Sequence, residues 1–143
     1  MAIANEKTRK KSRMEAETMN GLAMERRTLE RYITKLMIDL GVPAHLKGYH
    51  YLREAVMVSE NDLEAVTSVT KILYPSVART FRTSGQKVER AIRNAIEVSW
   101  ERGNEKTMKD IFGYSSISGK QRPTNSEYIA RMADKVRLDM ASV

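Results

Sequence analysis

A chain of 143 residues suits one domain with some unpacked tail, and its 41% apolar share is enough for a core, which excludes disorder throughout. No apolar run is long enough to cross a bilayer and no apolar stretch follows the basic start MAIANEKTRKKSRMEAE, which excludes a membrane span and a secretory signal. The absence of cysteine excludes disulfides and thiolate zinc sites and is compatible with a reducing cytoplasm, while a net charge of +7 favours polyanionic partners.

Residues 1–27 are polar and charged, with isolated apolar residues at Met14, Met19, Leu22 and Met24. Lys7, Arg9, Lys10, Lys11 and Arg13 form a basic run. Composition predicts a solvated, disordered linker here, with a DNA-touching arm as the alternative. A frayed helix around 14–24 would have too little apolar face to pack.

From residue 28 the pattern changes. Leu29, Tyr32, Ile33, Leu36, Met37 and Leu40 recur at three- and four-residue steps, one face of a helix, which Gly41 and Pro43 end. A second helix is predicted through GYHYLREAVMVSE, with Tyr51, Leu52, Ala55, Val56 and Val58 buried. Asn61-Asp62 caps a third, DLEAVTSVTKILY, with Leu63, Val66, Val69, Ile72 and Leu73 facing inward. Pro75 then opens a short helix, PSVARTF. Thr83 and Gln86 form a T-x-x-Q capping box that starts a long helix at about 84–86. Its apolar stripe is Val88, Ala91, Ile92, Ala95, Ile96 and Ser99, with Trp100 near its end. A shorter helix over 106–112 stops at Gly113, and a polar loop, YSSISGKQRP, follows. The last helix opens with a second capping box, Thr124 to Glu127, and buries Ile129, Met132, Ala133, Val136 and Met140. No segment keeps a strand-like alternation for more than four residues. The predicted class is all-α, a compact bundle of about six or seven helices, with residues 28–143 as one helical domain.

Catalytic and metal constellations are missing from the sequence. His45 and His50 are five apart and flank Gly48, the wrong step for one helical face, and read as surface or partly buried residues. GYSSISGK superficially resembles a phosphate-binding loop. It has one residue too many between its glycines, Gln121 where a Ser or Thr belongs, and a helix rather than a strand before it. Acidic residues are scattered and spaced to pair with bases, as Glu89 with Arg93. The expectation is a non-enzymatic protein without cofactor or metal.

Functional information concentrates in residues 74–100: a short helix, a tight polar turn and a longer helix, the layout of a DNA-reading helix-turn-helix. Over 71–102 there are seven basic residues (Lys71, Arg79, Arg82, Lys87, Arg90, Arg93, Arg102) against three acids (Glu89, Glu97, Glu101). Lys87, Arg90 and Asn94 share a stripe opposite Val88, Ile92 and Ile96, and Arg93 lies beside it. Arginine grips guanine and asparagine grips adenine with two hydrogen bonds each, and Glu89 is of a type that accepts from cytosine. Lys87, Glu89, Arg90 and Asn94 are therefore the candidate base readers. Thr83, Ser84 and Gln86 stand at the helix N-terminus, where free N–H groups welcome phosphate. With Arg93, and with Lys120 and Arg122 of the polar loop, they are the candidate phosphate contacts. The competing reading is an ordinary amphipathic helix with a solvated charged face.

GVPAHLKGYHYLREAV, KILYPSVARTF, VERAIRNAIEVSWERGN, FGY and PTNSEYIA closely resemble the C-terminal effector domain family of stage 0 sporulation protein A, over roughly residues 28–140. Departures are Lys87 for a more usual arginine, Asn94 for a histidine, and the SISGKQR loop. The resemblance implies a two-component response regulator that acts as activator and repressor of sporulation genes. It also implies TGTCGAA-like boxes in promoter DNA, a head-to-tail homodimer on tandem boxes, and contact with the housekeeping sigma factor of RNA polymerase. Lys87, Glu89, Arg90 and Arg93 match the family's DNA-reading helix. Thr107, Phe112 and Ser116 fall in its sigma-contacting stretch, where Ser116 replaces a residue that is often apolar. No receiver pattern precedes the helical region, so the resemblance implies a fragment cut in the interdomain linker. Two other classes compete with this reading: a helical protein-interaction module whose basic face binds an acidic protein, and a basic protein that coats nucleic acid without sequence preference.

Overall fold

The computed structural model of the chain describes residues 2–141. Among them are seven α-helices: α1 (Ala2–Asp39), α2 (Lys47–Asn61), α3 (Leu63–Thr67), α4 (Tyr74–Phe81), α5 (Gly85–Arg102), α6 (Glu105–Phe112) and α7 (Asn125–Ala141). A π-helical turn (Val69–Leu73) leads into α4, a 3-10 turn (Ser116–Ser118) lies between α6 and α7, and no strand occurs among the described residues. The all-α class is as the sequence predicts. The chain divides into two units, Met1–Arg31 and Tyr32–Val143.

The first unit contributes only helix, and from residue 5 to residue 28 every side chain is exposed. Where composition predicts a disordered linker over 1–27, the structure has a helix. The stretch has too few apolar residues, and these too scattered, to build a core, but it is rich in Ala, Glu, Lys, Arg and Met, has no proline and holds a single glycine, so its local preference is helical.

The second unit is built around α2. Its buried side chains Tyr49, Tyr51, Leu52, Ala55, Val56 and Met57 spread around much of the helix, because α5 and α7 pack on it as well as α3 and α4. α5 contributes Val88, Ile92, Ala95, Ile96 and Trp100, and α7 contributes Tyr128, Ile129, Met132, Ala133 and Val136. Ile33 and Met37 of α1, with Leu40 just beyond its end, complete the core. Gly48, in the first turn of α2, faces α5. A Cβ there would be driven into the Ala91 carbonyl oxygen and would lie 2.9 Å from the Ala95 Cβ. A polar link crosses the core, where the Ser99 and Tyr128 hydroxyls share a hydrogen bond of 2.6 Å.

The third predicted helix is corrected. It breaks at Ser68 (φ −131°, ψ 59°) into α3 and the π-helical turn. The change of phase buries Ala65 and Leu73 but leaves Leu63 and Ile72 exposed and Val66 and Val69 half-buried, so the predicted inward stripe is not continuous. Four β-branched residues, Val66, Thr67, Val69 and Thr70, surround the break and weaken a regular α-helix there. Asp62 caps α3 as expected, accepting from the Glu64 amide at 3.0 Å.

Outside the core, Tyr32 donates a hydrogen bond to Asp139, which Lys135 also approaches at 3.1 Å. Burial, together with that bond and the Asp139 charge, pushes the Tyr32 phenol up to about 12. The same bond, helped by Lys135, holds the Asp139 carboxyl below its usual value.

Two outcomes follow from this packing. Gly48→Ala forces α2 away from α5 and costs ~2 kcal/mol, read as a lowered denaturation midpoint. For Tyr32, a phenol raised from 10.0 to about 12 contributes stability that is complete below pH 10 and is lost as pH rises through 12. Tyr32→Phe therefore makes the fall in denaturation midpoint between pH 10 and pH 12 shallower than in the parent chain.

Candidate nucleic-acid interface

The segment 82–84 joins α4 to α5, and its backbone shows why the turn is tight. Arg82 takes the left-handed conformation (φ 54°, ψ 50°), and the Thr83 amide reaches back to the Ala78 carbonyl at 2.9 Å. This pair of features is a Schellman closure, here with arginine where glycine is usual. The next residue, Ser84, is extended and caps α5, its hydroxyl accepting from the Lys87 amide at 3.3 Å. The predicted Thr83–Gln86 capping box is therefore corrected by one residue. Thr83 is occupied in closing α4, so Ser84 becomes the cap.

α5 buries Val88, Ile92, Ala95, Ile96, Ser99 and Trp100. Helical geometry then turns Lys87, Arg90 and Asn94 to the opposite side, and all three are exposed. Ser84 and Gln86 are exposed at the same end, and Thr83 is half-buried. These residues form one continuous polar surface at the N-terminal half of α5. Arg82, which entered the sequence reading only as charge, adds an exposed cation in the turn. Its only advance signal was its place just before the cap.

Glu89 and Arg93 lie on another flank of α5. They form an ion pair with each other, Glu89 is half-buried, and both line a cleft of ≈ 750 Å³ that Tyr74, Arg122, Thr124 and Asn125 also border. Asn125, missed by sequence reading, organises this cleft. Its Nδ2 donates to the Tyr74 hydroxyl at 3.0 Å and to the Glu89 carbonyl at 3.1 Å, which pins the start of α7 to both α4 and α5. Burial pushes the Tyr74 phenol up, partly offset by the Asn125 bond. Thr124 caps this end, accepting from the Glu127 amide at 3.3 Å, at the position the second capping box predicts. Arg122 pairs with Glu97 of α5 at 2.9 Å, and the Lys120 ammonium sits 5.2 Å above the Tyr114 ring centre. Arg93, Arg122 and Lys120 are thus exposed cations held by partners, whereas Lys87 and Arg90 extend from the helix surface.

The stretch matched to sigma contact divides differently. Phe112 is 5% exposed, its ring packed 4.7 Å from Tyr128 and 6.4 Å from Trp100, so it is a core residue and is removed from the candidate contacts. The reason is the period of α6, which turns Met108, Ile111 and Phe112 inward together. Thr107 is half-buried at the start of α6, its amide bonded to Asn104 at 3.1 Å. Ser116 is exposed, and its neighbour Ile117 presents 75% of its surface to solvent.

His45 and His50 are both exposed. Among the described residues no group of three His, Asp or Glu side chains is placed to hold a metal ion, and no helix is long and apolar enough to cross a membrane.

A family model described as "Sporulation initiation factor Spo0A C terminal" matches residues 33–136, which takes in all of α2 to α6 and most of α7. The match covers most of the second unit and the whole polar surface of α5. The chain therefore belongs to this family of sporulation-related, DNA-binding regulatory effector domains, which are not enzymes.

Proposed function

We propose that the chain is a sequence-specific transcription regulator of sporulation initiation, acting as activator and repressor, in which α4, the 82–84 turn and α5 work as a helix-turn-helix. The observation that carries this reading is the exposed stripe Lys87–Arg90–Asn94, set on a helix whose opposite side is fully buried. A helix so anchored presents a fixed row of donors to a major groove without losing much side-chain freedom elsewhere. Lys87, Arg90 and Asn94 meet base edges, and the resemblance implies TGTCGAA-like boxes as their target. Glu89, turned toward the cleft and paired with Arg93, acts on bases only if that pair opens; its first role is to orient Arg93.

Phosphates are held by the N-terminal end of α5, with Thr83, Ser84 and Gln86, and along the flank by Arg93, Lys120 and Arg122. The free amides and dipole of an 18-residue helix favour an anion at that end. The paired arginines exchange a carboxylate for a phosphate, so each contact is weaker than a bare arginine would make. The remaining parts of the reading follow from the family resemblance: a response regulator working in the cytoplasm, a homodimer on tandem boxes, and contact of Thr107 and Ser116 with the housekeeping sigma factor of RNA polymerase.

Arg90→Ala should weaken binding to a TGTCGAA duplex by ~1–3 kcal/mol and change binding to a scrambled duplex far less, measured by titration at fixed salt. Equal losses on both would remove base reading from Arg90. Arg93→Ala should leave the ratio between the two duplexes unchanged and make the slope of log affinity against log salt shallower by about one unit.

A further inference from the structure

We infer that the basic end of α1, residues 7–13, is a second DNA-contacting surface that grips the phosphate backbone without reading sequence. Five of these seven residues are cationic (Lys7, Arg9, Lys10, Lys11 and Arg13), no acid lies among them, and every one is exposed. The segment lies in the first unit, outside the family match, so nothing in that match assigns it a task.

The helical form of the segment sharpens what composition left open. At about 100° per residue, Lys7, Lys10 and Lys11 share one flank of the helix, and Arg9 and Arg13 share another about a third of a turn away. A helix seated along a groove of duplex DNA has one phosphate ridge on each side. Cations on two flanks suit that setting better than a flat anionic surface, which needs them on one face opposite an apolar one. None of the five forms an ion pair among the described residues, in contrast to Arg93 and Arg122. Binding phosphate there requires no carboxylate to be displaced. The occupant is DNA because the chain belongs to a family of DNA-binding domains. The inference rests on that binding, and not on the base-reading assigned to α5.

The test uses the full chain and a variant carrying Lys7→Gln, Arg9→Gln, Lys10→Gln, Lys11→Gln and Arg13→Gln. Affinity is titrated over a range of salt on a TGTCGAA duplex and on a scrambled one. The expected result is a loss of equal factor on both duplexes, with the salt slope shallower by about two to four units, since each neutralised phosphate contributes about 0.9. A charge-retaining variant, Lys7→Arg with Lys10→Arg and Lys11→Arg, should keep the parent slope; if it loses binding as well, the segment acts through its shape and the inference fails. A slope unchanged within about half a unit, or a loss confined to the TGTCGAA duplex, overturns it. So does binding to phosphatidylserine vesicles that the glutamine variant abolishes while its DNA slope stays that of the parent, an outcome that would assign the cluster to a membrane surface. Failure of base reading by Arg90 would show as no preference between duplexes in the parent chain, with the slope change of the arm variant intact.

Discussion

The approach of α2 to α5 at Gly48 is the constraint on which the rest of the second unit depends. With no side chain at Gly48, the α2 backbone reaches the Ala91 carbonyl directly, and the small side chains Ala91 and Ala95 keep the two helices close. Contact that close leaves α5 little freedom to rotate. Val88, Ile92 and Ile96 are driven into the core between α2, α4 and α7, and the rotation that buries them also turns Lys87, Arg90 and Asn94 outward. The outward row is thus a by-product of core packing. A larger residue at position 48 would disturb the core and the interface through one displacement.

A second set of bonds holds the surroundings of α5 in place. The Schellman closure at Arg82 and Thr83 ends α4, and the Ser84 cap begins α5 at once, so the joint between them is held by backbone hydrogen bonds on one side and a side-chain cap on the other. Asn125 ties the start of α7 to Tyr74 and to the Glu89 carbonyl, and the buried Ser99–Tyr128 bond ties the same two helices again deeper in the core. On the proposed reading, this rigidity is what lets a short row of side chains discriminate between bases. Discrimination needs donors held in place before binding, while phosphate attraction does not. The exposed cations of residues 7–13, borne on a helix without a core, fit the second kind of task.

Much of this was legible locally. The stripes of α2, α5 and α7, the proline opening α4, the caps at Asp62 and Thr124 and the stop at Gly113 each depend on residues within a turn or two of one another, and were read correctly except that Val58 of α2 and Met140 of α7, expected to be buried, are half-buried. Errors arose where two local signals competed or where a local signal had no tertiary counterpart. Thr83 and Ser84 both suit an N-cap, and only the closure of α4 shows that Thr83 is already used. Leu63, Val66, Val69 and Ile72 look like an inward stripe, but the π-helical turn shifts their phase. Phe112 read as part of a contact surface because a resemblance matches positions without stating which way a side chain points. Asn125 carried no advance signal, since its partners lie 36 and 51 positions away in sequence.

Sequence by itself determined the all-α class, the helix succession from residue 28 onward apart from the break at Ser68, the concentration of positive charge around α5 and the residues opposite its apolar stripe. All of these are properties of periodicity and composition, which act over a few residues. Only the tertiary structure decided that Glu89 turns to a cleft and not to the Lys87–Arg90–Asn94 row, that Phe112 belongs to the core, and that Asn125 locks α7 onto α4 and α5. Those outcomes depend on which segments meet in space, and burial and hydrogen-bond partners are settled by that meeting rather than by any neighbour along the chain.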